Sequence, residues 1–291
     1  MSEDMVMNGT HMQGKVCVVT GATAGIGRVS AQRLAEMGAT VIVISRNPAK
    51  CDEVVAEIQQ RTGNSAVEAM PADLSSLGQV RAVAQRLLDR YPRVDVLLNN
   101  AGAVFTSRQL SPDGIEMTWA LNHLSYFLLT HLLLDALKAA PAARVINVSS
   151  DAHLMGRIHF DDVQFARRPY RGFIAYSQSK LANVMHAYAL ARRLRDSDIT
   201  VNALHPGAVA TNFGKNNAGL IWQLVFNLFG RLAISPEKGA ETSVYLASSP
   251  DVAKVSGQYF YRCKPKPSSP ASYDQQAQER LWALSMEMVG L

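Results

Sequence analysis

Tyr176 and Lys180 stand four positions apart in the run Ala175-Tyr-Ser-Gln-Ser-Lys-Leu-Ala-Asn183. The run reads as helix, so both side chains share one face, about one turn apart. An ammonium beside a phenol stabilises the phenolate and draws the tyrosine pKa toward neutrality, which makes the phenol a poised proton donor. Upstream, Ser149 and Ser150 follow the apolar strand Ala143-Arg-Val-Ile-Asn-Val148. With a glycine-rich turn near the N-terminus, these groups point to a nicotinamide-dependent oxidoreductase.

That turn, Thr20-Gly-Ala-Thr-Ala-Gly-Ile-Gly27, links a short buried strand to a helix. Gly21, Gly25 and Gly27 let the backbone turn sharply and approach a pyrophosphate, with Thr23, Ala24 and Ile26 carried on the same loop. The spacing G-x3-G-x-G differs from G-x-G-x-x-G, and a tight turn without a ligand is the competing explanation. A carboxylate for a ribose 2′-hydroxyl should end the second strand, yet Ser45 stands there, followed by Arg46. A guanidinium suits a 2′-phosphate, so NADP(H) is expected over NAD(H). Arg46 as a plain solvated loop residue is the alternative. Asp73, next to Leu74, is a candidate acceptor for the adenine amino group, a helix N-cap, or both.

The elements that must carry these groups alternate along the chain. Strands are expected at Lys15–Thr20, Thr40–Ile44, Ala66–Met70, Val94–Leu98, Ala143–Val148, Ile199–Leu204 and Gly257–Tyr261. Helices are expected over about 28–37, 49–61, 114–140, 176–195 and 237–247, with a helix start at Asp73–Ser76. Such alternation predicts an α/β fold, a doubly wound parallel sheet with helices on both faces. No linker divides it, so residues 14–291 read as one Rossmann-type domain behind a polar tail, 1–13. Residues 212–234 break the rhythm. Their apolar run Leu220-Ile-Trp-Gln-Leu-Val-Phe-Asn-Leu-Phe229 reads as a substrate flap, a membrane-surface or partner-binding helix, or a core helix.

Composition narrows the partners. The net charge is +5, but the basic residues are scattered and not interleaved with aromatics, so no nucleic acid is expected. Cys17, Cys51 and Cys263 are odd in number and lack a C-x-x-C spacing, which suits reduced thiols. No signal peptide or transmembrane anchor is legible, so a cytoplasmic location is expected. The seven histidines show no H-E-x-x-H pattern, so no metal is expected. His153 and Met155, just past Ser150, line a substrate pocket or pack internally.

Taken in register, Thr20-Gly-x3-Gly-x-Gly27, Asn99-Asn-Ala-Gly102, Asn122, Ser149-Ser150, Tyr176-x3-Lys180 and Pro206-Gly207 with Thr211 resemble the short-chain dehydrogenase/reductase family. Leu121-Asn-His-Leu124, Gly156-Arg-Ile-His-Phe160, Ser179-Lys-Leu-Ala-Asn183 and His205-Pro-Gly207 resemble its retinol-dehydrogenase-like branch. The resemblance implies Tyr176 as general acid in reduction and general base in oxidation. It implies Lys180 on the nicotinamide ribose, Ser150 on the carbonyl oxygen with Ser149 as fallback, and Asn122 anchoring a relay water. Asn100, Ala101 and Gly102 would close over the adenine ribose, with Asn99 structural. Pro206, Gly207, Val209 and Thr211 would meet the carboxamide or pyrophosphate, Thr211 alternatively capping a helix. The substrate would be a small lipophilic carbonyl/alcohol pair. A homodimer or homotetramer would form through the helices around Gly114–Ala140 and Tyr176–Arg195. A non-catalytic NADP(H) sensor and an epimerase or dehydratase on the same fold are the competing functions.

Overall fold

The computed structural model describes residues 11–207 and 234–291. Eight strands are found there: β1 (Val16–Thr20), β2 (Thr40–Ile44), β3 (Val67–Ala69), β4 (Val96–Asn99), β5 (Arg144–Val148), β6 (Thr200–His205), β7 (Tyr259–Tyr261) and β8 (Lys264–Pro265). They form one sheet in the order β3-β2-β1-β4-β5-β6-β7-β8. Every neighbouring pair is parallel except the short β7–β8 edge. Chain direction across the sheet reverses between β1 and β4, the switch point where open α/β sheets take ligands.

Both faces of the sheet are covered, which is why the strands read as near-continuous Val, Ile and Leu. Alternation sorts their side chains into two cores. Val16, Val18, Ile42, Leu97, Val145, Val201 and Tyr259 pack into one. Cys17, Val19, Val41, Leu98, Ile146, Leu204 and Phe260 pack into the other. Helices α1 (Gly25–Glu36) and α2 (Pro48–Thr62) supply apolar residues to the second core, and α3 (Leu77–Arg90) to the first. Met12 is buried in the second core, so part of the expected tail belongs to the packed body.

The region 114–140 is not one helix. It runs as α4 (Met117–Trp119), a π turn (Ala120–Leu124), α5 (Ser125–Leu132) and α6 (Leu134–Lys138). The buried Glu116 carboxylate caps α4 by accepting from Thr118 N and Trp119 N, each at 2.8 Å. A π turn widens one turn and re-aims the side chains on it, and Asn122 lies there. After it come α7 (Gly172–Arg193) and α8 (Pro236–Ser248).

The last helix, α9 (Gln275–Val289), was not expected from the sequence. Its ends carry ordinary signals: Asp274 accepts from Ala277 N at 3.0 Å, and Gly290 closes it at φ +68°. Trp282 on α9 packs edge-on against Phe127 of α5 at 5.1 Å and lies under the Arg193 guanidinium of α7 at 3.8 Å. Through Trp282, α9 of the same chain thus packs on part of α5 and α7. Within residues 265–270, Ser268 and Ser269 are buried.

No helix among the described residues is long and apolar enough to cross a membrane. Val209, Thr211 and nearly all of the expected flap at 212–234 lie outside the described residues.

Candidate active site

The predicted groups assemble along one edge of the sheet, at the C-terminal ends of the parallel strands. Thr20 at the end of β1 ties the first two loops together. Its hydroxyl donates to Leu98 O and accepts from Asn100 N at 2.8 Å and Ala101 N at 3.0 Å. The Asn100 amide donates back to Thr20 O at 2.8 Å and Gly21 O at 3.3 Å. Asn99 instead turns inward, donating to Thr130 Oγ1 and Asn147 Oδ1. Gly21 and Gly25 hold φ values of +65° and +54°, which only glycine adopts without strain. A Cβ on Gly27 would lie 2.4 Å from Gly21 O and 2.5 Å from Asn100 Nδ2.

This cradle fits a dinucleotide pyrophosphate. Helix α1 opens at Ala24 with no side-chain cap and no acidic residue in its first turn, so its leading N–H groups remain for an anion. Ile26 sits in that turn, partly buried. Thr23 Oγ1 pairs with Ser45 Oγ at 2.9 Å, which joins the loop to the end of β2 where Arg46 stands exposed. Asp73 spends Oδ1 on Ser75 N and Ser75 Oγ, while Ser76 caps α3. The carboxylate thus closes a turn and leaves Oδ2 for an adenine amino group. The Leu74 side chain is buried in the core, which leaves its main chain to meet a nucleotide.

Beyond the switch point lie the groups able to move a proton. Ser149 is buried and its hydroxyl donates to Lys180 O at 2.7 Å, which removes the fallback. Ser150, in extended conformation, is hydrogen-bonded to Tyr176 and accepts from Ala152 N at 3.2 Å. Lys180 is buried, and its Nζ donates to Val148 O at 2.9 Å. The same Nζ lies 5.6 Å from the Tyr176 ring centroid and 5.8 Å from that of Tyr126. Asn122 bridges the loop after β4 to α7: Oδ1 accepts from Ala103 N, and Nδ2 donates to Ala103 O and Ser179 Oγ. A Cβ on Gly102 would sit 3.2 Å from Asn122 Oδ1 and 3.5 Å from Lys180 Nζ, so the glycine keeps open the space between them. Gly207, just past Pro206 and β6, holds φ +99°.

The electrostatics differ from the sequence expectation. Burial pushes Tyr176 up to about 12, against a smaller lowering by the Ser150 hydrogen bond. Burial pushes Lys180 down to about 7. Burial dominates at both groups, so the expected drop of the phenol toward neutrality is not found in this structure. Tyr176 therefore holds its proton near neutral pH.

His153 is a second correction. It is fully buried and packed at a tilt against Tyr259, ring centroids 4.7 Å apart, with both ring nitrogens taken by main chain, so it does not line a pocket. Met155 is 66% exposed. Tyr126 was missed. It lies four residues after Asn122 on the next turn, and its buried hydroxyl has no partner among the described residues. No cluster of three or more His, Cys, Asp or Glu among the described residues could hold a metal.

Two other histidines make the fold acid-sensitive. Burial drives His123 and His205 each down to about 4. An unfolded imidazole titrates near 6.5, so between about 6.5 and 4 the unfolded chain binds more protons. Their contribution is present above the unfolded value and is lost as pH falls toward 4, by roughly 3 kcal/mol per buried imidazole at most. Denaturant midpoints at pH 7.5 and 4.5 should show a marked drop at the lower pH, and equal midpoints would contradict it.

Known proteins share this arrangement. A family model for short chain dehydrogenases matches residues 15–219. The chain is 43% identical to retinol dehydrogenase 13 of Homo sapiens, over 96% of this chain and 85% of that protein. It is 40% identical to retinol dehydrogenase 14 of Mus musculus, over 96% and 87%. Among solved structures, an uncharacterised protein from Mycobacterium Paratuberculosis is 33% identical with TM-score 0.77, covering 97% of this chain and 95% of that one. An NADP active-site complex of Pseudomonas aeruginosa RhlG is 28% identical with TM-score 0.69, covering 87% and 97%. With this fold, edge and spacing, the chain belongs to the short chain dehydrogenase family, in its retinol-dehydrogenase-like branch, and is a nicotinamide-dependent oxidoreductase of CH–OH and C=O groups.

Proposed function

We propose that the protein is an NADP(H)-dependent carbonyl reductase acting on a lipophilic aldehyde or ketone, or on the matching alcohol in reverse. The observation that carries this reading is the Tyr176 phenol hydrogen-bonded to Ser150, with Lys180 one turn below it. The nicotinamide, when bound, supplies or accepts the hydride. Ser150 orients the carbonyl oxygen. Tyr176 gives that oxygen its proton as charge develops there, a role that suits a phenol still protonated at neutral pH. Lys180 holds the nicotinamide ribose and adds positive charge beside the phenol. Asn122 braces the floor between β4 and α7 and anchors the water through which Lys180 exchanges protons with solvent.

Gly21, Thr23, Ala24, Gly25, Ile26 and Gly27 cradle the pyrophosphate, Arg46 takes the 2′-phosphate, and Asp73 and Leu74 meet the adenine. Asn100, Ala101 and Gly102 line the adenosine side, and Pro206, Gly207, Val209 and Thr211 the nicotinamide side. An apolar substrate is supported by exposed Leu154, Met155 and Phe173, which flank Ser150 and Tyr176 along the chain. The retinol dehydrogenases among its relatives make a retinoid one candidate. A cytoplasmic location is supported by three free cysteines.

A Gly27→Ala variant should weaken NADPH binding by about tenfold or more, because the new methyl must displace the Asn100 amide and the Gly21 carbonyl. NADPH fluorescence titration reads this directly, and unchanged affinity would remove the cradle from the site. The function itself is tested by following NADPH absorbance with a panel of lipophilic aldehydes and ketones. Consumption with at least one of them is expected. Tight NADPH binding without turnover across the panel would favour a sensor.

A further inference from the structure

Two imidazoles beside the site have no role in the chemistry so far, yet both are spent on the main chain around Ser150. His153 Nδ1 lies 2.7 Å from Ser150 O, and its Nε2 accepts from Ser269 N at 3.1 Å. An acceptor at Nε2 leaves the proton on Nδ1, so Nδ1–H donates to the Ser150 carbonyl. His205 is set the opposite way. Its Nδ1 accepts from Asp151 N at 3.2 Å, and its Nε2–H faces Asp151 Oδ2 at 3.2 Å. The peptide unit that follows Ser150 is therefore gripped at both ends, its C=O by His153 and its N–H by His205.

The grip is anchored from strands β6 and β7 and from the segment just past β8. Asp151 also accepts from Tyr259 OH of β7 and Lys266 Nζ beyond β8, each at 3.3 Å. His153 packs at a tilt against Tyr259, and His205 stacks on Tyr261 at 5.1 Å. Both histidines are buried, and all four ring nitrogens have partners. A buried donor or acceptor left unpaired is costly, so each ring has one orientation and one tautomer.

We propose that His153 and His205 are positioning residues for Ser150, holding its peptide so that the hydroxyl stays on Tyr176. The proposal rests on the reading of Ser150 as the group that orients the carbonyl oxygen. A hydroxyl displaced by about an ångström can cost on the order of a hundredfold in rate, which gives the pair a kinetic role.

The test compares His205→Asn with His205→Gln, each in the wild-type and the Ser150→Ala background. Asn keeps an acceptor where Nδ1 stood, whereas Gln reaches only the Nε2 position. The expected result is a kcat within about threefold of wild type for Asn and a loss of about 10- to 100-fold for Gln. In the Ser150→Ala background the loss on adding Gln should shrink to about twofold or less, because the group being positioned is gone. NADPH affinity should stay unchanged throughout. Equal losses in both backgrounds, or no loss with Gln, would overturn the proposal. If Ser150→Ala alone keeps wild-type kcat, the reading of Ser150 fails first and the grip positions nothing. The same cycle at His153 covers a His205 variant that fails to fold. There Asn keeps a donor for the Ser150 carbonyl and Gln does not, so the same split between the two is expected and its absence overturns the proposal.

Discussion

Tyr176→Phe should lower kcat for carbonyl reduction by about 10²- to 10⁴-fold, the range that a positioned general acid contributes. The ring stays in place over Lys180, so only the hydroxyl and its bond to Ser150 are lost. NADPH affinity should hold to within about twofold, because the change acts on the transition state and not on dinucleotide binding. Single-turnover NADPH oxidation separates the two quantities. A variant with wild-type kcat would remove Tyr176 from the chemistry.

The second large effect concerns the cofactor. Arg46→Asp should shift the NADPH-to-NADH ratio of kcat/KM by about 100-fold toward NADH, the worth of a charge-assisted bond of roughly 1.5–3 kcal/mol. Arg46 is exposed at the end of β2, and the neighbouring Ser45 is tied by its hydroxyl to Thr23 of the glycine loop. The variant puts a carboxylate near where a ribose 2′-hydroxyl would lie and a 2′-phosphate would be repelled. Stability should change by less than about 0.5 kcal/mol, as for most surface substitutions. An unchanged ratio would place the 2′-phosphate elsewhere.

Much of the site was legible because it is written locally. Tyr176 and Lys180 share a helical face, and Gly21, Gly25 and Gly27 share one turn. The strands β1 and β2 read directly from runs of β-branched residues. What was not legible depends on residues far apart in the chain. The direction of the Tyr176 shift follows from packing that buries both phenol and ammonium, and no four-residue spacing reveals that. The grip on Ser150 joins Asp151 to His205 across 54 positions, and His153 to Ser269 across 116. Helix α9 was missed although Asp274 and Gly290 mark its ends, because its buried face includes Gln278 and Ser285 and so breaks the apolar stripe. The 114–140 region read as one helix because apolar residues occur on all sides of it, which hides a π turn from periodicity.

The account stands or falls on hydride transfer from the nicotinamide to a carbonyl carbon. The direct measurement is mass spectrometry of the alcohol formed from a lipophilic aldehyde with NADPH deuterated at C4, each face labelled in turn. One deuterium on the carbinol carbon, from one face only, with the labelled alcohol forming about 10²- to 10⁴-fold more slowly in Tyr176→Phe, is the predicted result. An alcohol formed without deuterium from either face, or a product isomerised or dehydrated with no NADPH oxidised, would contradict it.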